Sequence, residues 1–181
     1  MTRLFAAASI AALLAACTQP SVLDDTDGQL ADGTSVCPSE QILTLNEYPN
    51  ETLPTNAETF HAQLGAQDGV ETTETGLQYR VVSEGLDDGI TPNPSDEIFA
   101  HYHGYFPNGE VFDSSYVREE PLSGGATHWI RGWNEALADM KVCEARILYL
   151  PANLAYGENP IDRPGGSLVF NMQLLRVNRA Q

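Results

Sequence analysis

The sequence predicts an α+β domain, a twisted antiparallel β-sheet of about five strands wrapped around one short amphipathic helix. Three observations carry this expectation. Apolar segments beyond residue 73 alternate with period two, and the second half holds a single strong helical stripe. The strands also follow one another without the strand–helix alternation that a parallel sheet requires.

The elements follow in chain order. After Arg3, Leu4 to Ala16 is a run of apolar or small residues whose single hydroxyl is Ser9. As a helix the run would be roughly 20 Å long, too short for a hydrocarbon core of about 30 Å. It fits the hydrophobic segment of a secretory signal. It ends in Leu14-Ala15-Ala16-Cys17, which resembles the bacterial lipobox, where the cysteine becomes the lipidated first residue. Residues 1–16 are therefore expected to be a lipoprotein signal peptide, with Cys17 the lipidation site. Lipid chains anchor by the CH₂ groups they bury. Thr18, where an aspartate would mark inner-membrane retention, directs the expectation to the outer membrane on the periplasmic side of a bacterial envelope.

Residues 17–36, mostly Thr, Ser, Asp, Gly and Gln, read as a flexible tether. Residues 37–72 read as a short extension. Within it Gln41 to Leu45 is expected as a strand, and Asn56 to Gly65 as a short helix capped by Asn56, with Phe60 and Leu64 spaced i, i+4.

Residues 73–181 form the expected main domain. Leu77 to Val82 alternates, and Gly85 to Gly89 turns. Glu97 to Phe106 places Ile98, Ala100, Tyr102 and Gly104 on one face, and Phe99, His101, His103 and Tyr105 on the other. Pro107-Asn108-Gly109-Glu110 signals a hairpin, with Val111 to Asp113 pairing back. Trp133, Leu137 and Met140, with Ala136 beside them, form the helical stripe. Strands at Cys143 to Leu150 and Ser167 to Val177 complete the pattern.

Nine Lys+Arg against 25 Asp+Glu give a net charge of −16, and loss of residues 1–16 would remove only the base Arg3. Such a surface repels phosphate backbones and anionic lipid, so nucleic acid is excluded as a partner and membrane contact is expected through the lipid alone. With Cys17 lipidated, Cys37 and Cys143 remain. They are either a disulfide, favoured by an oxidising compartment and closing a loop of 106 residues, or two unpaired thiols.

Five motifs in order narrow the family: His101-Tyr102-His103-Gly104, Gly109 to Ser115, Ile130-Arg131-Gly132-Trp133, Leu154-Ala155-Tyr156-Gly157 and Leu168-Val169-Phe170. Together they resemble the FKBP-type peptidyl-prolyl cis/trans isomerases. The spacing from Trp133 to Tyr156 and the segment Gly76 to Tyr79 are similar to the bacterial Mip-like branch.

The resemblance implies acceleration of X–Pro isomerisation without covalent, metal or cofactor chemistry. Twisting the amide loses its charge-separated resonance form, against a barrier near 18–20 kcal/mol. A dry aromatic pocket solvates that less polar state relatively better. By the same resemblance Trp133 is the floor of the pocket, and Tyr102, Phe112 and Phe170 are its walls. Ile130 offers a backbone N–H at the rim, Tyr156 a hydroxyl to a substrate carbonyl, and Asp113, steadied by Tyr102 and Arg118 or another base, faces the twisted amide. Asp113, Tyr156 and Phe112 are the catalytic candidates. Leu122 stands where the family has an aromatic, Trp129 where it has an aliphatic residue, and both are placed at the substrate site. The loop from Gly157 to Ser167 is short for the family, which leaves the preference before proline and macrolide affinity open.

His101 and His103 lie on the face away from Tyr102, and neither they nor Ser114-Ser115 are expected to hold a metal or supply a nucleophile. Partners are expected to be proline-containing unfolded or folding polypeptides of exported proteins. The alternative is an FKBP-like chaperone or scaffold module with little turnover. A monomer is expected, because the segment before the main domain has room for only one short helix.

Overall fold

The structure is a computed structural model that describes residues 33–181. The expected signal peptide, the lipidation site Cys17 and most of the expected tether lie outside the described residues. In chain order the elements are β1 (Ser35–Val36), α1 (Phe60–Leu64), β2 (Glu71–Thr72), β3 (Gln78–Ser83), β4 (Glu97–Tyr105), β5 (Val111–Ser114), β6 (Leu122–Gly125), α2 (Arg131–Asp139), β7 (Ala145–Leu150) and β8 (Leu168–Asn178). The strands form one antiparallel sheet in the order β2-β3-β7-β8-β4-β5, with β1 added to β8 and β6 to β4.

The α+β class is as expected, but the sheet has eight strands among the described residues rather than about five. The additions are short or atypical. β1 and β2 have two residues each, and β6 reads Leu-Ser-Gly-Gly, a turn composition. Ser35 and Val36, counted above with the tether, pair with Val177 and Arg176, so the sheet reaches into that segment.

The central strand β8 explains much of the rest. One of its edges is taken by β4 and the other by β7 and then β1. No edge remains for the strand expected at Gln41 to Leu45, which forms 3₁₀ turns at Ser39–Gln41 and Leu45–Glu47 instead. Its polar groups meet a side chain: Leu43 N–H donates to Gln173 Oε1 at 2.8 Å, and Gln173 Nε2 donates to Gln41 O at 2.8 Å and to Cys143 O at 3.0 Å. The helix expected from Asn56 is shorter too. Asn56 Oδ1 accepts from the N–H groups of Glu58 and Thr59, closing a turn before α1 begins.

The inner face of the sheet packs on α2. Trp133, Ala136 and Leu137 of the helix, with Met140 after it, are buried against Ile98, Ala100, Leu148, Leu150 and Met172. Arg146 pins the far end of the helix, donating to Asp139 at 3.0 Å and to Glu144. Asn134 holds the near end: its Oδ1 accepts from Trp129 N–H at 3.0 Å, and its Nδ2 donates to the carbonyls of Thr127 and Trp129.

The outer face is covered by residues 37–70, a strap in which Tyr48, Phe60 and Leu64 pack on Ala145, Ile147, Tyr149 and Val169. Complete burial of Phe60 and Leu64 contributes roughly 1.5–3 kcal/mol each, enough to hold a segment with so little secondary structure. Burial from both sides also explains why all six residues of β7 are inaccessible. Glu51 of the strap accepts from Tyr149 and from Arg80 Nε, the latter at 2.6 Å.

Cys37 and Cys143 form a disulfide with Cα atoms 4.9 Å apart. Cys37 N–H donates to Leu175 O at 2.7 Å and Cys143 N–H to Leu174 O at 2.8 Å, so the bridge sits where β8 passes from one neighbour to the next. It fastens the start of the strap to the sheet.

Candidate active site

The candidate aromatic residues come together where the inner sheet face meets the start of α2. Trp133 presents its indole 4.9 Å from the Tyr102 ring and 5.0 Å from the Phe170 ring, both edge-to-face. Phe112 of β5 meets Phe170 at 5.6 Å and 87°. Tyr102 and Phe170 come from the paired neighbouring strands β4 and β8, and Trp133 comes from the first turn of α2. Gly104 makes the arrangement possible, since a Cβ there would stand 2.7 Å from Phe112 Cζ and 2.8 Å from Phe170 Cε1.

A polar edge flanks the aromatic hollow. Tyr102 Oη donates to Asp113 Oδ2, Ser114 N–H donates to Asp113 Oδ1 at 2.8 Å, and Arg118 pairs with the same carboxylate. Arg118 Nη2 also donates to Tyr102 Oη at 2.9 Å, which closes a ring of three side chains. Burial, and then the bond to Asp113, push the Tyr102 phenol above its ordinary pKa, so it stays a donor at neutral pH. Of the bases that the sequence left open as the partner of Asp113, the structure selects Arg118. Ser115, fully buried, fastens β5 to β4 by accepting from Tyr102 N–H at 2.7 Å.

Ile130, Tyr156, Leu122 and Trp129 all pack, partly buried, on the same cluster. Ile130 is the residue before α2, and its carbonyl accepts from the N–H groups of Trp133 and Asn134 at 3.0 Å. Leu122 sits in β6 opposite Ala100. Trp129 lies 6.1 Å from Trp133, with Gly124 of β6 clearing room for its ring, where a Cβ would come within 2.8 Å. Tyr156 follows the 3₁₀ turn Ala152–Leu154, and the Arg163 guanidinium stands 5.3 Å over its ring. His101 and His103 turn to the opposite face, where His101 stacks on Tyr116 at 4.6 Å.

Two contacts escaped the sequence reading. Phe106 backs Phe112 at 5.2 Å. Its signal was present, since Phe106 is the next member of the period-two series Ile98, Ala100, Tyr102 and Gly104. Arg163 above Tyr156 had no periodic signal, since it sits in an irregular loop.

Such a site can bury a prolyl ring among aromatic faces and present a carboxylate and hydroxyls at its margin. That is the arrangement a less polar, twisted amide requires.

Comparison with known proteins gives the same family throughout. A family profile described as FKBP-type peptidyl-prolyl cis-trans isomerase matches residues 88–175. The chain is 34% identical over 171 residues to the peptidyl-prolyl cis-trans isomerase Mip of Coxiella burnetii, covering 85% of this chain and 74% of that protein. It is 40% identical over 114 residues to the FKBP-type 22 kDa peptidyl-prolyl cis-trans isomerase of Escherichia coli, of which it spans 54%. The fold is similar to the crystal structure of FkpA from Escherichia coli, with a TM-score of 0.63, 37% identity, and coverage of 69% of this chain and 59% of that one.

Proposed function

The chain belongs to the FKBP-type peptidyl-prolyl cis-trans isomerases, and from that premise we propose that it exercises their activity on proline-containing segments of exported proteins, at the pocket floored by Trp133. The observation that carries the assignment of the site is the aromatic box. Tyr102, Phe112, Trp133 and Phe170 meet at centroid distances of 4.9–6.5 Å beside a carboxylate held by Tyr102 and Arg118.

In this reading the prolyl ring rests on Trp133 between Tyr102, Phe112 and Phe170, with Trp129 and Leu122 bordering the residue before proline. Tyr156 and the Ile130 N–H take up carbonyls of the bound turn. Asp113 faces the amide carbonyl as it loses resonance. Apolar walls disfavour the charge-separated planar amide relative to the twisted one, so stabilisation is differential. Holding the segment in a turn supplies orientation.

Residues 1–16 as a lipoprotein signal, lipidation at Cys17, a site on the periplasmic side of the outer membrane of a bacterial envelope, and a monomeric state complete the proposal. The motif ending in Cys17 supports the anchor. The presence of Tyr102, Phe112, Asp113, Trp133 and Phe170 together supports turnover over the binding-module alternative.

A protease-free isomerisation assay on X–Pro tetrapeptides tests the activity. Clear acceleration, lost on combining Asp113→Leu with Phe112→Tyr, is the expected result. Acceleration indifferent to both substitutions would place the chemistry elsewhere.

A further inference from the structure

On the face opposite the pocket, strap and sheet do not close fully on each other. A cleft of about 630 Å³ lies between them, floored by His103, Tyr105 and Asn171 and bounded by Tyr48, Leu53 and Asn108. That volume is typical of ligand sites. A second cavity of about 260 Å³ adjoins it at Thr55, Pro107 and Asn108 and ends on Glu158, Gly166 and Ser167. Those last residues belong to the loop that begins directly after Tyr156. The two hollows thus make one elongated path, from the back of the sheet to the loop that borders the isomerase pocket.

The chemistry of the lining restricts what could lie there. The side chains of Asn46 and Asn50 each carry a donor and an acceptor, as a peptide backbone does, while Asn108 and Asn171, whose Oδ1 atoms accept from Glu110 N–H and Tyr105 Oη, add amide N–H donors. Between them stand apolar groups such as Leu53 and Pro107. Charge is nearly absent: Glu51 is taken up by Arg80 and Tyr149, and desolvation holds the His103 imidazole below its ordinary pKa. The open carboxylate, Glu158, is at the far end. An uncharged, amide-rich, elongated partner fits this lining, and an ion does not.

A second observation points the same way. Among the described residues, buried side-chain polar atoms without a partner occur in two places. Trp129 Nε1 and Trp133 Nε1 are in the aromatic cluster, and His103 Nδ1, itself enclosed by protein, is in the residue that floors the cleft. Unpaired buried polar atoms are scarce in folded proteins, and each leaves hydrogen-bonding capacity unused beside these two hollows.

We propose that the cleft is a second polypeptide site, holding an extended stretch of the client chain whose X–Pro bond occupies the pocket. The proposal rests on the isomerase reading for the identity of that client. An extended chain advances about 3.3 Å per residue, so only a client much longer than a tetrapeptide would reach both sites at once. Tethering of this kind raises the effective concentration of the proline segment without a new contact in the pocket itself. Short peptides would gain nothing from it.

The test uses the full chain and two variants, Thr55→Trp on the strap and Asn108→Trp on the hairpin, each placing an indole where the two hollows join. The first probe is a fluorescein-labelled, proline-free peptide of about ten residues, roughly 33 Å when extended, followed by anisotropy. The second is the proline-limited refolding of a reduced, alkylated protein, beside tetrapeptide turnover. Both variants are expected to weaken peptide binding about tenfold or more and to raise KM for the unfolded protein similarly. Tetrapeptide kcat/KM and melting temperature are expected to stay as in the parent. Unchanged binding in both variants overturns the proposal. So does a wild-type dimer that they dissolve, which would make the cleft a contact between two copies. Absence of tetrapeptide turnover in the parent would remove the isomerase reading, while binding of the proline-free peptide would still decide the cleft.

Discussion

Arg118 and Asp113 form an ion pair at the margin of the pocket, and Arg118 donates in the same pose to the hydroxyl of Tyr102. Both partners of the pair are partly open to solvent, so its contribution to stability is small. Its effect is on direction: it fixes which way the carboxylate and the phenol point. Arg118→Leu should therefore leave the melting temperature nearly unchanged and lower tetrapeptide kcat/KM roughly ten- to a hundredfold, through kcat more than KM. Arg118→Lys should recover part of the loss. Equal kcat for Arg118→Leu and the parent would show that the pair has no part in orienting Asp113.

Gly104 sets the width of the hollow. A methyl group there meets the rings of Phe112 and Phe170 well inside contact distance. Gly104→Ala should push both walls aside, at an overpacking cost of about 1–3 kcal/mol. Isomerisation should fall by roughly a hundredfold, far more than the loss of stability accounts for. Thermal denaturation and the peptide assay, run on one preparation, check this.

The disulfide from Cys37 to Cys143 closes a loop of 106 residues. In the chain-entropy treatment that is worth about 4–5 kcal/mol. Reduction, or Cys37→Ser with Cys143→Ser, should lower the melting temperature by roughly 10 °C. Activity on tetrapeptides at 10–15 °C should survive, because neither cysteine borders the pocket. A melting temperature indifferent to reductant would mean that the strap is held by its apolar contacts alone.

Alkali should unfold the protein early. Burial pushes the phenols of Tyr48, Tyr105 and Tyr149 well up, and brings Tyr79 and Tyr116 to about 12. An unfolded tyrosine ionises near 10. Below that pH each phenol is neutral in both states, and its contribution is fully present. Above it the unfolded chain loses protons that the folded chain keeps, so stability falls as pH rises from about 10. Melting temperatures between pH 8 and 11.5 should show the decline starting near 10, and Tyr116→Phe should soften it.

The inner half of the molecule was legible in the sequence, and the outer half was not. Trp133, Leu137 and Met140 announced α2 by their spacing, and the alternation through Ile98, Ala100 and Tyr102 separated the two faces of β4. The candidate residues lay in motifs whose order is specific, and the structure brings the rings of Tyr102, Phe112, Trp133 and Phe170 together. The strap resisted because its contacts are long-range and its backbone irregular. Tyr48 sits after a 3₁₀ turn, and nothing near it in the chain indicates that it covers Tyr149. A clue was available in Ala145 to Leu150, where Ala145, Ile147 and Tyr149 are as apolar as Leu148 and Leu150. A strand apolar on both faces requires a cover on both. The β6 strand was hidden for a different reason, since its glycines serve the close approach of Trp129 and His128 rather than the ladder.

Phe170 and Asn171 are consecutive in β8, yet one lines the aromatic hollow and the other floors the cleft behind it. Tyr102 and His103 stand in the same relation in β4. Single substitutions can therefore tune either face without disturbing the other. An insertion or deletion of one residue in these strands would exchange the two sets of side chains and erase both faces at once. In the course of descent the two surfaces are free to diverge in chemistry but bound to share one reading frame, so variation in length must be confined to the turns.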